Sequence, residues 1–149
     1  TEFDREQRPS FLPFSGETES GQMLDSKALE GQVVVMNWWY SSCAPCRAEA
    51  PDLQALHEEF LDQGVQFVGV NVRDTAETAL AFDRKFGISF PSIMDAQSGA
   101  VSLAFQGVVS PQAVPTTLVI DKEGNVSSRI LGRIDPSILR TLIETVVAE

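Results

Sequence analysis

The chain's only two cysteines stand three residues apart, in Asn37-Trp38-Trp39-Tyr40-Ser41-Ser42-Cys43-Ala44-Pro45-Cys46-Arg47-Ala48-Glu49-Ala50-Pro51. On a helix, residues at that spacing share a face with Cα atoms roughly 5 Å apart, inside the window of a disulfide. The apolar run Val33-Val34-Val35-Met36 leads into the pair and a helix-like pattern leads out. A buried strand is therefore expected to deliver both sulfurs to a helix start. Unpaired N–H groups and a partial positive charge there favour an anion, and the thiolate is the reactive form of cysteine. The dipole, about 0.3–2 kcal/mol, lowers a thiol pKa by roughly 1.5 at most, bringing it near neutrality. Pro45 suits an early helical position, where its missing N–H has no intrahelical use. Cys43, the N-terminal and more exposed member, is the expected nucleophile, and Cys46 resolves the mixed disulfide.

Two structural roles compete with exchange chemistry. A staple closing only four residues would contribute roughly 2 kcal/mol before strain. A zinc site needs four ligands, and one C-x-x-C with a single distant His57 falls short. Redox exchange is the better reading.

The elements that must hold this pair come from one domain of 149 residues, 43% apolar and 21% charged. A net charge of −10 argues against nucleic acid and against anionic membrane surfaces. No apolar run approaches the ~18 residues of a membrane span. The chain opens at Thr1 without a signal-like region, as a mature form would, and a lone C-x-x-C suits a reducing or an oxidising compartment.

Residues 1–13, polar and carrying Pro9 and Pro13, read as a flexible leader, with the domain from 14 to 149. Phe14–Leu29 predicts a short strand or hairpin and one helical turn. Val33–Trp39 predicts a strand covered on both faces, and 44–63 a helix bent at Pro51 and stopped by Gly64. Val65–Val72 predicts a second buried strand. Asp74 with Glu77 resembles a capping box for a helix carrying Ala79, Phe82 and Phe86 and ending at Gly87. Phe90–Met94 predicts an edge strand and Gly99–Phe105 a short helix. Thr116–Asp121 and Val126–Leu131 flank Lys122-Glu123-Gly124-Asn125, a hairpin signal. Asp135 caps a last helix with Pro136 first, its buried face made of Ile138, Leu139, Leu142, Ile143, Val146 and Val147. This order implies an α/β fold, a mixed sheet with helices on both faces.

Several stretches together resemble the thioredoxin superfamily, and within it the TlpA/ResA-like extracytoplasmic thiol–disulfide oxidoreductases. They are Trp39 with Cys43-x-x-Cys46, Glu49-x-Pro51, Val68-Gly69-Val70-Asn71-Val72 and Val114-Pro115-Thr116-Thr117. The likeness runs from about Phe14 to the C-terminus, and 73–97 matches the family's extra helix-and-strand insertion. It implies a thioredoxin-like three-layer fold, a redox disulfide Cys43–Cys46, and a cis Pro115 facing the cysteines. Val114, Pro115 and Thr116 would then receive an extended substrate segment by strand addition. The resemblance also gives Glu49 a place beside Cys46, tuning it or shuttling its proton; by position alone Glu49 is an exposed acid near a helix start. Asn37 stands where thioredoxin has a buried acid and cannot accept a proton, leaving Glu49 or water for that task. Ser42 departs from the tryptophan most relatives carry before the first cysteine. Trp38, Trp39 and Tyr40 read as packing, His57 as a surface residue, and Arg47 as an exposed, solvated arginine.

The implied function is reduction of protein disulfides by a monomer without cofactor or metal, outside the cytoplasm, secreted or membrane-anchored. Apocytochrome c, in cytochrome c maturation, is the implied substrate, and a membrane thiol carrier of the CcdA/DsbD type restores the dithiol. Ala44-Pro45 places no charge or imidazole between the cysteines, which favours a reductant. Two alternatives stay open: an oxidase introducing disulfides into secreted proteins, and a non-catalytic carrier holding Cu(I) with the cysteines and His57. A peroxidase would need a Pro-x-x-x-Thr-x-x-Cys pattern that the sequence lacks.

Overall fold

Every residue from Val33 to Trp39 is buried, which is why the run lacks polar alternation: strand geometry sends alternate side chains into two apolar layers. The computed structural model describes all 149 residues. Two short strands, β1 (Ser15–Glu17) and β2 (Met23–Asp25), lead to β3 (Val34–Trp39) and α1 (Ala44–Phe60). There follow β4 (Gln66–Asn71), α2 (Ala76–Phe86), β5 (Ser92–Met94), α3 (Ala100–Ala104), β6 (Thr116–Ile120), β7 (Val126–Leu131) and α4 (Pro136–Val147). The five-stranded sheet has the order β5-β4-β3-β6-β7. β4 runs parallel to β3 and β5, while β6 lies antiparallel to β3 and β7. This is the expected three-layer, mixed-sheet fold, with α2 and β5 forming the inserted helix and strand.

On one face Leu53, Leu56 and Phe60 of α1 and Leu139, Ile143 and Val146 of α4 cover Val33, Val35, Phe67 and Val119. Each such side chain contributes about 1.5–3 kcal/mol by leaving water. On the other face Val101, Ala104 and Phe105, with Phe14, cover Met36, Trp38, Val68 and Leu118. A third, smaller cluster joins Trp39, both cysteines and Ala50 to Ala79 and Phe82 of α2. The insertion therefore packs directly against the sulfurs.

The observed bounds differ from the expected ones where local chemistry offers two solutions. α1 ends at Phe60, and Leu61–Gln63 tightens into a 3₁₀ turn before Gly64 takes φ 74°. α2 is capped by Thr75, whose Oγ1 accepts from the Thr78 N–H at 3.3 Å, and not by Asp74. Ile138 lies off the α4 stripe and is exposed, because it sits about 100° around the helix from Leu139.

The first thirteen residues, expected as a flexible leader, instead lie against the domain. Glu2 bridges Ser128, the Phe3 N–H donates to the Ser127 carbonyl, and the Arg129 N–H to the Thr1 carbonyl, so this segment runs along β7. Arg8, its side chain 6% exposed, pairs with Asp121 at 2.8 Å and Glu149 at 2.6 Å. Phe11 stacks on Phe105 with centroids 4.4 Å apart. These partners are roughly a hundred residues away in sequence, which is why local composition misread the segment. At the opposite edge Thr18 bridges Ile93 of β5.

Candidate active site

β3 ends at Trp39, the chain turns through Tyr40–Ser42, and α1 begins with Cys43 as its N-cap. Cys43 and Cys46 are joined as a disulfide, their Cα atoms 5.2 Å apart. The Cys46 N–H points at Cys43 Sγ, 3.3 Å away, so one of the helix's free donors is aimed at the sulfur that would carry the negative charge. The loop ahead of the sulfurs is bolted down. Asp74 accepts from the Ser41 N–H at 2.7 Å, the Ser41 hydroxyl at 2.8 Å and Asn71 Nδ2 at 2.8 Å. Sequence reasoning missed this role because Asp74 also fits a helix cap.

The expected contrast in exposure between the cysteines is small: Cys43 is 5% and Cys46 3% accessible. Trp39, Phe82, Val114 and Tyr40 crowd around them, while Ser42, Ala44 and Pro45 are exposed and form the rim over the sulfurs. Arg47 is not the solvated arginine expected. It is half-buried, donates from Nη1 to the Ser41 carbonyl at 3.2 Å and lies over Phe86 at 5.2 Å. Arg73 similarly covers Tyr40 at 3.9 Å.

Glu49 is fully buried, not the exposed acid its position alone suggests. Its Oε2 accepts from Asn37 Nδ2 at 2.7 Å and its Oε1 from the Ile134 N–H at 3.0 Å. Burial pushes its pKa up to about 7; the two hydrogen bonds and Arg133 pull the other way without winning. Asn37, unable to take a proton, thus serves as a donor that holds Glu49, and it also donates to Thr117 Oγ1 at 3.1 Å.

The Val114–Pro115 peptide is cis. Val114 is half-buried against the cysteine cluster, and neither its N–H nor its carbonyl takes part in a backbone hydrogen bond. Pro115 is buried beside it. Thr116 is fully buried, its hydroxyl donating to the Ala113 carbonyl, so its side chain is turned away from any docking chain. The structure therefore brings Cys43, Cys46 and Val114 together with Pro115 next in the chain, places Glu49 behind Asn37, and removes Thr116 from the contact surface.

His57 is not a surface residue either. It sits half-buried edge-on to Phe67 and Phe90, and burial lowers its pKa. Eleven residues along α1 from Cys46, it lies roughly 17 Å away by helical rise and cannot share a metal ion with the cysteines. The copper-carrier arrangement is thereby lost.

A disulfide where the central strand of a mixed five-stranded sheet gives way to a helix, packed against the residue that precedes a cis proline, defines a thiol–disulfide oxidoreductase of thioredoxin-like fold. The AhpC/TSA family profile matches residues 9–129, and the chain belongs to that family. The thiol–disulfide oxidoreductase ResA of Bacillus subtilis is 31% identical over 123 residues, 83% of this chain and 66% of that protein. The structure of a DsbF homologue from Corynebacterium diphtheriae superposes with a TM-score of 0.88 at 32% identity, covering 97% of this chain and 91% of that one. A secreted thiol–disulfide isomerase from Corynebacterium glutamicum gives a TM-score of 0.89 at 31% identity, covering 100% and 92%. The chain spans about two thirds of the length of the ResA relatives it matches. No helix is long and apolar enough to cross a membrane.

Proposed function

We propose that this domain reduces disulfides in exported proteins. Cys43 attacks a substrate sulfur, and Cys46 then displaces the reduced product. The observation that carries this reading is the sulfur pair at the start of α1, with the Cys46 N–H on Cys43 Sγ beside the unpaired backbone of Val114. Val114 offers an N–H and a carbonyl to an extended substrate segment, with Pro115 as the floor of the contact. Glu49, titrating near neutrality one helical turn from Cys46, tunes that thiol electrostatically.

The direction follows from the surroundings of Cys43. Trp39, Phe82 and Val114 are apolar, and Arg47 is committed to Ser41 and Phe86. A buried thiolate without a cation is disfavoured relative to the disulfide, which makes the dithiol a willing electron donor. The secreted relative from C. glutamicum supports an extracytoplasmic site, and within this proposal apocytochrome c is the substrate and a CcdA/DsbD-type membrane carrier the electron source. A second reading, oxidation or isomerisation of secreted proteins, draws support from the likeness to the C. glutamicum secreted isomerase. A reduction potential below that of the glutathione pool supports the reductant, and one well above it supports the oxidase. Cys43→Ser is expected to abolish turnover of a small aromatic disulfide, and Cys46→Ser to accumulate a mixed disulfide. Full turnover by C43S would end the proposal.

A further inference from the structure

Behind Cys46 lies a cavity of about 20 Å³, bounded also by Asn37, Trp39, Phe82, Asp83 and Ser92, with room for one water. Asp83, on α2, is the acid in its wall; Glu49 is not part of that lining, and both of its oxygens are engaged elsewhere. Asp83 Oδ1 is sealed from solvent, and no amide, hydroxyl or basic side chain donates to it. Close to it stands the carboxyl of Glu19, from the turn between β1 and β2, whose approach raises the proton affinity of Asp83. Two carboxyl groups this close favour holding one proton between them over carrying two negative charges. Glu19 receives the Ser92 N–H on both oxygens, at 3.0 and 3.0 Å, and Ser92 lines the same cavity as Asp83. Glu19 also lines an open cleft with Arg73, Asp74, Thr75 and Met94. The two acids thus form a continuous line from the cavity at Cys46 to solvent.

We propose that Asp83 and Glu19 are a proton relay for Cys46. The proposal rests on the exchange reaction above. In the step it serves, the Cys46–Cys43 sulfur bond forms and the bond from Cys43 to the substrate sulfur breaks. The substrate sulfur leaves with the electron pair and takes a proton from solvent, so substrate is reduced and the protein dithiol oxidised. The Cys46 thiol proton passes, directly or through one water, to Asp83. The proton already held between the acids moves to Glu19, which releases it into the cleft. Reduction of the disulfide runs the same path inward.

The groups facing Asp83 fix its proton affinity. Glu19 raises it, Arg84 on α2 lowers it, Cys46 approaches from α1, and β5 contributes the neutral Ser92. Burial is the largest influence, and the outcome is a carboxyl held well above the usual carboxylate range.

The test is a stopped-flow single turnover of the reduced protein with 5,5′-dithiobis(2-nitrobenzoate), which releases one coloured thiolate on Cys43 attack and a second on Cys46 attack. Asp83→Asn and Glu19→Gln are each expected to slow the second release at least tenfold at pH 7. The first release should stay within twofold, and the second should lose the wild-type pH inflection. A folded D83N protein with wild-type second-phase rates and pH profile would overturn the relay. Where D83N folds poorly, E19Q, which keeps an acceptor for the Ser92 N–H, decides by the same readout. A wild-type protein that releases neither thiolate would instead count against the exchange reaction itself.

Discussion

Replacing Glu49 by glutamine tests the electrostatics at the site most directly. The group is fully buried and its pKa stands at about 7 against an ordinary 4.5. At about 1.36 kcal/mol per pH unit, the difference corresponds to ~3 kcal/mol of folding free energy. Because the folded pKa is raised, the folded protein binds this proton more tightly than the unfolded chain. The contribution is therefore fully present below pH 4.5 and is lost as the pH rises through 7. Glutamine removes the titration but meets two donors, Asn37 Nδ2 and the Ile134 N–H, with only one acceptor oxygen. The mismatch costs about 1–3 kcal/mol at every pH. E49Q should thus be less stable than wild type at pH 4.5, and the gap should close or reverse by pH 8, moving by ~3 kcal/mol in all. Urea denaturation of the oxidised protein across this range measures it, since disulfide-bonded cysteines do not titrate. Subtracting the two curves cancels Asp83, whose carboxyl burial also raises. Parallel curves, with a difference constant to within about 0.5 kcal/mol, would refute the assignment of a raised pKa to Glu49.

Two further outcomes probe the frame of the site. A Cβ on Gly69 would overlap the Ser92 hydroxyl and lie 2.9 Å from Trp39 Nε1, where those groups hydrogen-bond at 2.9 Å. Gly69→Ala should cost about 1–3 kcal/mol in thermal or urea unfolding and change the Trp fluorescence of the oxidised protein, whereas an unaltered spectrum and stability would show that the contact is absent. Arg8→Met leaves the Asp121 carboxylate, 3% exposed, without its cation and should cost about 3–5 kcal/mol. A loss below about 0.5 kcal/mol would return residues 1–13 to the status of a loose leader.

The sequence carried the site's chemistry because that chemistry is local. Cys43, Cys46, Pro45 and the run before them lie within one strand–turn–helix, where spacing and helix termini decide the outcome. The shared-face reading of the cysteines and the buried strand hold in three dimensions. What escaped was set by residues far apart in the chain. Glu49 is buried because Ile134 and Asn37 close over it, and no periodicity in α1 announces that. Asp74 fits two roles equally well by pattern, and only the approach of Ser41 selects one. Asp83 lies between Phe82 and Arg84 on an ordinary amphipathic helix, and its encounter with Glu19 depends on the β1–β2 turn reaching over β5. A faint signal for Asp83 does exist, an acid directly beside a core phenylalanine, but surface helices show the same pattern.

The segments lying along both margins of the sheet bear on how such a protein handles other chains. Thr1–Phe3 occupy the outer rim of β7, and Thr18 occupies that of β5, so neither border presents a long row of free amides and carbonyls. A molecule that must seize stretched, partly unfolded polypeptides risks seizing copies of itself. Here the lateral seams are stitched shut, while Val114 keeps its peptide groups open beside the sulfurs. Under the proposed exchange reaction, capture would be confined to the one spot where capture leads to reaction.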